Sequence, residues 1–390
     1  MKNTTDILKF YEADKPLFVM SGLAGEDIER FVDREKQLEY IIASIRLGQN
    51  CAVTGEQGAG KSSFLLKLMA IMQQTRYCDY LQFSFPAEES GKSRLHFLRK
   101  VLRTLLALIA GNEPLLKRFE PGEIEFQVEL LEYSIIIEDH LKTQKVTDAG
   151  LEGGLKSEIL SFLIPAEFKV KLNLRREQEK GKIEKKDYPI HNENTLFDTI
   201  IKLSAKIDEP IVLFIDELDK VGRYPLSSPE WDKEVIRILE LSRDIMLSDK
   251  LILVFALQIE LYEKLRKAER DEGDISILGL INAFKKLDGF DLEFALNAVD
   301  ASLKYAGYKK SSRDLFENGV LEIVLEVVKG NPRLFMYYLL ELVKTGFLEK
   351  QRRITLEMLK NVLKSKDEKL DDKRWNEMAS KYIAATHSDR

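Results

Sequence analysis

The chain has 390 residues, of which 44% are hydrophobic, so it can bury a large core in two or three domains. It holds 60 Lys and Arg against 65 Asp and Glu, and its net charge of −5 excludes a global basic field that would draw it to nucleic acid or anionic membrane. The longest apolar runs are too short to span a membrane, and the N-terminus lacks a signal-peptide apolar region. We therefore expect a folded cytoplasmic protein without membrane contact, with Cys51 and Cys78 as plain buried or half-buried thiols.

Residues 1–30 carry only weak signals and form an N-terminal arm in our interpretation. The stretch FVDREKQLEYIIASI then predicts a helix with Asp33 as its N-cap. It leads into a buried strand, NCAVTG, at residues 50–55.

A glycine-rich loop, GEQGAGKSS, follows this strand and opens a helix, which is the context that a P-loop requires. Glycines let backbone N–H groups curl round phosphates, Lys61 would reach the β- and γ-phosphates, and the Ser62 hydroxyl would bind Mg²⁺. The alternative is a glycine-rich structural turn. The predicted nucleotide-binding residues of the loop are Gly55, Glu56, Gln57, Gly58, Ala59, Gly60, Lys61, Ser62 and Ser63.

A second strand is predicted at 79–85, and after one more helix about 80 residues precede the next helical pattern, too many for a bare loop. We expect an insertion at about 112–194. Within it, Phe168, Val170, Leu172 and Leu174 alternate with polar side chains ahead of a turn region at Gly181, and residues 167–187 hold eight Lys or Arg against five acids. This pattern predicts a two-stranded ribbon, either a solvated hairpin or a basic finger for a phosphate backbone or a partner.

The run IVLFIDELDK supplies two carboxylates, Asp216 and Glu217, at the C-terminal end of a third buried strand. Ligands of parallel sheets bind at that edge. Asp216 would hold Mg²⁺ through water, and Glu217 would orient and deprotonate an attacking water. The alternative is an acidic pair that caps the next turn, with Asp219 as a surface acid. A fourth strand at 251–257 is followed by Gln258.

From about residue 291 only helical patterns remain, separated at glycines, which predicts an all-helical domain. In KGNPRLF, Pro332 enters the first position of a helix and leaves Arg333 beside the positive helix end. A cation there is unfavourable by roughly 0.3–1 kcal/mol unless an anion faces it. The last residues, 366–390, form a charged tail with sparse apolar side chains, which predicts a solvated helix or a partly ordered end.

These motifs, in this order, make the chain similar to AAA+ ATPases of the origin-recognition-complex-like and STAND (signal-transduction ATPases with numerous domains) branch. The resemblance implies a five-stranded parallel core with a helical lid, ATP and Mg²⁺ between them, and Arg333 as the sensor-2 arginine on the γ-phosphate. It also implies a sensor-1 role for Gln258, where a strand-end polar residue is the alternative.

The chain departs from the family pattern in two places. Lys285 and Lys286 stand where an arginine finger is expected, and a lysine cannot make the forked contact of a guanidinium. Other candidates for a residue acting on a neighbouring subunit are Arg223, Arg266 and Arg270. A winged-helix DNA-binding domain is also not expected, because only about 25 residues follow the last lid helix.

We therefore expect an α/β fold, with a parallel-sheet AAA+ core at 31–290, the inserted hairpin region, and a helical lid at 291–365. The expected activity is ATP hydrolysis to ADP and phosphate, slow or stimulated by a partner. One function is a nucleotide-controlled assembly or switch that forms homo-oligomers on ATP and contacts DNA through 167–187 and the helix start KSRLHFLRK. The alternative is a STAND-like scaffold for a protein partner, and a small-molecule P-loop kinase is a third option.

Overall fold

The structure is a computed structural model that describes residues 4–20, 23–82, 93–128, 131, 192–218, 228–272, 277–366 and 371–388. The ribbon predicted at 167–187, Asp219 and Arg223 lie outside these residues. No helix of the described ranges combines the length and apolar character needed to cross a membrane.

Five strands form one sheet in the order β2-β3-β4-β1-β5, and the pairs β1–β4, β1–β5 and β2–β3 are parallel. The strands are β1 (Asn50–Gly55), β2 (Cys78–Gln82), β3 (Ile211–Asp216), β4 (Leu251–Gln258) and β5 (Ile281–Lys286). Every residue of β1 and β3 is buried, as expected for strands covered on both faces rather than for strands with one wet face. The predicted α/β class with a parallel core and a helical C-terminal part is confirmed.

Fifteen α-helices are described besides a 3₁₀ helix at Gly25–Arg30. They are α1 (Thr4–Tyr11), α2 (Glu35–Arg46), α3 (Lys61–Met72), α4 (Ser93–Ala110), α5 (Glu113–Leu116), α6 (Glu193–Ala205), α7 (Ser228–Met246), α8 (Ile259–Glu272), α9 (Ile277–Leu280), α10 (Leu292–Tyr305), α11 (Ser312–Leu315), α12 (Val320–Val327), α13 (Pro332–Glu349), α14 (Leu356–Lys366) and α15 (Asp372–Ser388). One prediction at these boundaries is wrong. Helix α2 has Arg34, not Asp33, as its N-cap, because Asp33 adopts a left-handed backbone with φ of 59°.

The chain divides into two compact units, residues 76–253 and the remainder. The second unit contains β1, β5, the loop after β1 and all helices from α10 onward. The first contains β2, β3 and helices α4 to α7. The two thiols are buried as expected, and burial raises the pKa of Cys51 and of Cys78 to about 12.

The N-terminal arm packs into the core of the helical domain. Tyr11, Leu17 and Phe18 are buried there, and the Tyr11 hydroxyl donates a hydrogen bond of 3.0 Å to the carbonyl of Val343 in α13. Arg30 is 97% buried and donates to the carbonyls of Leu17 and Pro16. The arm is therefore structural in this domain, which its sequence did not indicate.

The C-terminal tail is helical, which is one of the two predicted alternatives, but one edge of this helix is buried rather than solvated. It forms α15, whose Trp375, Met378 and Ala379 join the same hydrophobic cluster as side chains of α10 to α14. These three side chains follow a helical spacing of three and one, so one edge of an otherwise charged helix is apolar. The helical domain thus extends at least to this helix.

Candidate functional site

The loop after β1 has the backbone shape of a phosphate-binding loop. Gly58 and Gly60 have φ of 86° and 90°, a left-handed conformation that L-residues rarely adopt. Gly60 is the N-cap of α3 and provides no side-chain hydrogen bond to the helix start. The Lys61 ammonium donates to the carbonyls of Gly55 at 2.8 Å and Glu56 at 2.9 Å, so its charge is held inside the loop.

The start of helix α13 packs directly on this loop. The Asn331 side-chain amide donates to the carbonyl of Gln57 at 2.8 Å, and the backbone N–H of Arg333 donates to the carbonyl of Gly58 at 3.3 Å. The other side of the Asn331 amide accepts from the N–H of Leu334 and caps the helix. One side chain therefore fixes both the start of α13 and the loop, and brings the backbone of Arg333 beside it.

Two glycines of the loop allow this close packing because they have no Cβ. A Cβ on Gly58 would lie 2.6 Å from Asn331 Oδ1 and 3.2 Å from the Cβ of Arg333. A Cβ on Gly55 would lie 2.8 Å from the carbonyl oxygen of Leu287. Cβ atoms in proteins essentially never approach other heavy atoms to less than 3.0 Å, so any larger residue at Gly58 or Gly55 must displace its neighbour.

Close backbone packing also holds the segment after β5. The N–H of Phe290 donates to the carbonyl of Gly330 at 2.7 Å, and a Cβ on Gly289 would lie 2.7 Å from that carbonyl oxygen. Arg34 donates to the carbonyl of Asp288 and stacks over Phe294 at 4.7 Å. The segment after β5 is thus held against both the residue stretch before α13 and the start of α2.

The remaining predicted site residues of this unit lie in the loop or beside it. Gln258 pairs in register with Gly55 across β4 and β1, so it stands at the strand edge where the loop begins. Ser62 is half-buried in the first turn of α3. The hydroxyl of Ser63 accepts a hydrogen bond of 3.0 Å from the N–H of Leu23 in the N-terminal arm. Ala59 is buried, and its N–H closes a turn onto the carbonyl of Glu56 at 3.2 Å.

At the end of β3, Asp216 is buried and held on both oxygens. The hydroxyl of Tyr80, on the neighbouring strand β2, donates to Oδ2 at 2.5 Å. The N–H of Glu217 donates to Oδ1 at 2.8 Å. The register pairs Asp216 with Gln82, two residues beyond Tyr80, so the tyrosine reaches diagonally along the same sheet face.

Glu217 has a left-handed backbone with φ of 61°. For a residue with a Cβ this conformation costs about 1–2 kcal/mol, and such strain clusters at functional sites. Its carboxylate interacts electrostatically with Lys100 of α4. Burial lowers the pKa of Lys100, as does the charge of Arg103, and Glu217 opposes that shift.

These residues suit a nucleotide and its metal ion. The loop offers left-handed glycines, an ammonium group and a helix start without a side-chain cap, which together favour a polyphosphate. At the end of β3, the buried carboxylate of Asp216 is a ligand type that Mg²⁺ accepts. The loop can therefore bind the phosphates of a nucleotide, and the end of β3 separately offers carboxylates.

Two of the candidates for a cation that acts on a neighbouring subunit contact other residues of this chain. The Lys285 ammonium lies 4.0 Å from the ring centre of Tyr40, and Lys286 forms an ion pair with Asp288 at 3.1 Å. Arg266 is exposed on α8. The side chain of Arg270 is outside the described part of the structure.

Sequence reasoning missed two groups of the site, Tyr80 and the Asn331 amide. Tyr80 lies within a predicted strand, and nothing in that strand distinguishes it from a core aromatic. In the sequence, Asn331 stands out only as the residue before Pro332. Its contact with Gln57 joins residues 274 positions apart, which a single sequence does not reveal.

No protein-family model matches the chain, and neither does any curated protein. Similar solved structures include a Walker-type ATPase of Pyrococcus abyssi, with 15% identity, a TM-score of 0.43, and coverage of 90% of this chain and 78% of that one. Another is the Aeropyrum pernix ORC1 protein in complex with DNA, with 10% identity, a TM-score of 0.45, and coverage of 89% and 69%. A third is the Aeropyrum pernix ORC2 protein in ADPNP–ADP complexes, with 10% identity, a TM-score of 0.46, and coverage of 90% and 72%.

Proposed function

We propose that the chain is an AAA+-type ATPase that binds ATP with Mg²⁺, hydrolyses it slowly, and acts as a nucleotide-controlled assembly or switch. The observation that carries this proposal is the contact of the lid helix with the phosphate loop. Asn331 binds the carbonyl of Gln57, and the N–H of Arg333 binds that of Gly58. A change in loop conformation on phosphate binding must therefore alter the hydrogen bonds at the start of α13.

The first role falls to the loop and its lysine. The N–H groups of residues 58–62 and the ammonium of Lys61 bind the phosphates, and Lys61 exchanges its two carbonyl partners for phosphate oxygens. Arg333 supplies a guanidinium for the γ-phosphate, which offsets the unfavourable position of a cation at the start of a helix. Ser62 and Asp216 would hold Mg²⁺, which neutralises charge on the phosphates when it is bound.

The second role is proton transfer. Glu217 would accept a proton from the attacking water, and its left-handed backbone supports a functional position, because an ordinary strand end needs no such strain. Gln258, one strand away from the loop, would orient the same water or the γ-phosphate through its amide. Tyr80 would hold Asp216 in a fixed rotamer.

The rest of the proposal concerns what the switch acts on. We propose a core at 31–290 and a lid at 291–365, with homo-oligomers forming in the ATP state. Contact with DNA is the first option. The second is a STAND-like scaffold that acts on a protein partner without nucleic acid, and the direct lid–loop contact favours such a switch equally well.

The test is size-exclusion chromatography with light scattering on Glu217→Gln, with and without ATP and duplex DNA. Glu217→Gln should retain unhydrolysed ATP, so ATP alone should increase its mass. Adding Lys61→Ala to the same variant should abolish the increase, because nucleotide no longer binds. A mass that stays monomeric with ATP would contradict the assembly role, and DNA-independent behaviour throughout would favour the scaffold.

A further inference from the structure

Two exposed basic segments meet on the helical domain, far along the chain from the ribbon at 167–187. The first, around α11, holds Lys309, Lys310 and Arg313, and the second, after α13, holds Lys350, Arg352 and Arg353. All six side chains are exposed. We call these six residues the basic patch.

Backbone hydrogen bonds hold the two segments side by side. The N–H of Ile354 donates to the carbonyl of Leu315 at 2.7 Å, and the N–H of Glu317 donates to that of Ile354 at 2.9 Å. Phe316 and Ile354 form a parallel bridge between buried side chains. The patch therefore rests on a rigid, buried junction rather than on two independent loops.

Electrostatic contacts confirm that the cations share one surface. Arg352 forms an ion pair with Glu12 of the arm, and this bond, with the nearby Lys309 and Lys310, lowers the pKa of Glu12. Asp314 interacts with both Lys310 and Arg353, one from each segment. Residues 309–314 and 350–353 contain six basic side chains and one acid, so the patch stays positive after Glu12 is counted.

This local charge contrasts with the whole chain, whose net charge is −5. Six like charges held together repel one another, and a bound polyanion relieves that repulsion. None of the exposed large apolar side chains of the described chain lies within the two segments, and Leu348 is the nearest in sequence. Protein interfaces need an apolar or aromatic centre and are depleted in lysine, so the composition does not fit a protein partner.

We propose that the basic patch binds the phosphate backbone of nucleic acid, with duplex DNA as the partner. Arginine forms forked contacts with phosphate oxygens, and lysine adds point charges, so the surface would bind without sequence preference. This names a partner class for the switch proposed above and rests on it only for control by ATP. The contact itself needs no nucleotide.

The experiment measures the affinity of the full chain for a short fluorescein-labelled duplex by fluorescence anisotropy. The patch variant is Lys309→Ala, Lys310→Ala and Arg353→Ala, which leaves the Arg352–Glu12 pair intact. The matched control removes three exposed cations of the same unit, through Lys36→Ala, Arg46→Ala and Lys373→Ala. Circular dichroism establishes that both variants are folded.

The wild type should bind at about 50 mM salt and weaken steeply towards about 200 mM. The patch variant should bind at least about tenfold more weakly, and its salt slope should fall by about one unit per lost phosphate contact. The control should behave as the wild type. Equal loss in both triple variants, or no binding by the wild type, would overturn the proposal.

Two further arms separate the alternatives. Phosphatidylcholine vesicles that carry phosphatidylserine should bind more weakly than the duplex, and equal patch-dependent binding to them would overturn the assignment to nucleic acid. Wild-type protein should keep its DNA affinity in the absence of nucleotide. If it does so while it binds no ATP, the patch stands and the proposed ATPase function fails alone.

Discussion

The loop after β1 and the carboxylate end of β3 are both proposed parts of a nucleotide site, yet different forces hold them. Around the loop, neighbouring segments pack closely because the glycines there have no Cβ, as Gly58 shows beside Asn331. At the strand end, Asp216 is held by a tyrosine hydroxyl, and Glu217 adopts a strained backbone. The loop should therefore be sensitive to added volume, and the strand end to lost hydrogen bonds and charge.

The largest effect is expected at the strand end, from Glu217→Gln. Loss of the carboxylate base should lower ATP hydrolysis roughly 10²- to 10⁴-fold, while ATP affinity is kept. Phosphate release at saturating ATP measures it. The control is Glu260→Gln, which neutralises an exposed acid of α8 and should leave the rate unchanged. A Glu217→Gln rate equal to that of the control would remove the proposed base.

The second largest effect is expected from added side-chain volume in the loop, which Gly58→Ala tests. The new Cβ would meet Asn331 Oδ1 at 2.6 Å in a backbone with φ of 86°. The strain of about 1–2 kcal/mol and an overpacking cost of about 1–3 kcal/mol should both reduce the free energy of unfolding, measured in urea without nucleotide.

Gly48→Ala is its matched control. Gly48 also has a positive φ, of 74°, but nothing lies within 4 Å of its missing Cβ. This variant should show the strain alone. If the two substitutions cost the same free energy, the packing of the lid on the loop contributes nothing.

A smaller effect is expected for Tyr80→Phe, which removes one hydroxyl at the strand end. A hydrogen bond to a charged group contributes about 1.5–3 kcal/mol, so hydrolysis should fall about ten- to a hundredfold. The Mg²⁺ concentration for half-maximal rate should also rise, since Asp216 loses its fixed orientation. Tyr77→Phe removes a hydroxyl just before β2 and serves as control. An unchanged Mg²⁺ dependence in Tyr80→Phe would show that the tyrosine does not position Asp216.

The smallest effect is expected for Asn331→Ser. Serine still caps a helix, but it cannot reach the carbonyl of Gln57, so about 0.5–1.5 kcal/mol of unfolding free energy should be lost. Asn192→Ser makes the same exchange at the N-cap of α6, where Thr195 is the one side-chain partner of Asn192 among the described residues, and should cost less. Equal costs would mean that the Asn331–Gln57 bond has no net value.

The sequence was informative where the structure depends on local pattern. Continuous apolar runs predicted β1, β3 and β4, and the left-handed backbones at Gly58 and Gly60 fit the glycine spacing of the loop. The strand order was not readable, because it depends on which strands pair in space. The packing of the arm through Tyr11 was missed for the same reason, since its partner lies 332 positions away.

The candidate site divides in the same way. Lys61, Asp216 and Glu217 follow from motifs, but the left-handed φ of Glu217 does not, because glutamate has no preference for that conformation. Asp33 failed as an N-cap since its own backbone is left-handed, which moves the start of the helix by one residue. The sequence alone does not indicate the basic patch, because its two segments are about forty residues apart and each is short.

The central claim is that this chain binds a nucleoside triphosphate through the loop after β1. Isothermal titration with ATP and Mg²⁺ tests it most directly, on the wild type, on Lys61→Ala, and on Lys67→Ala as a control from the same helix. The account predicts tight binding by the wild type and Lys67→Ala, and at least about a hundredfold weaker binding by Lys61→Ala, which loses charge-assisted bonds to phosphate. Equal affinity of Lys61→Ala and the wild type would contradict it.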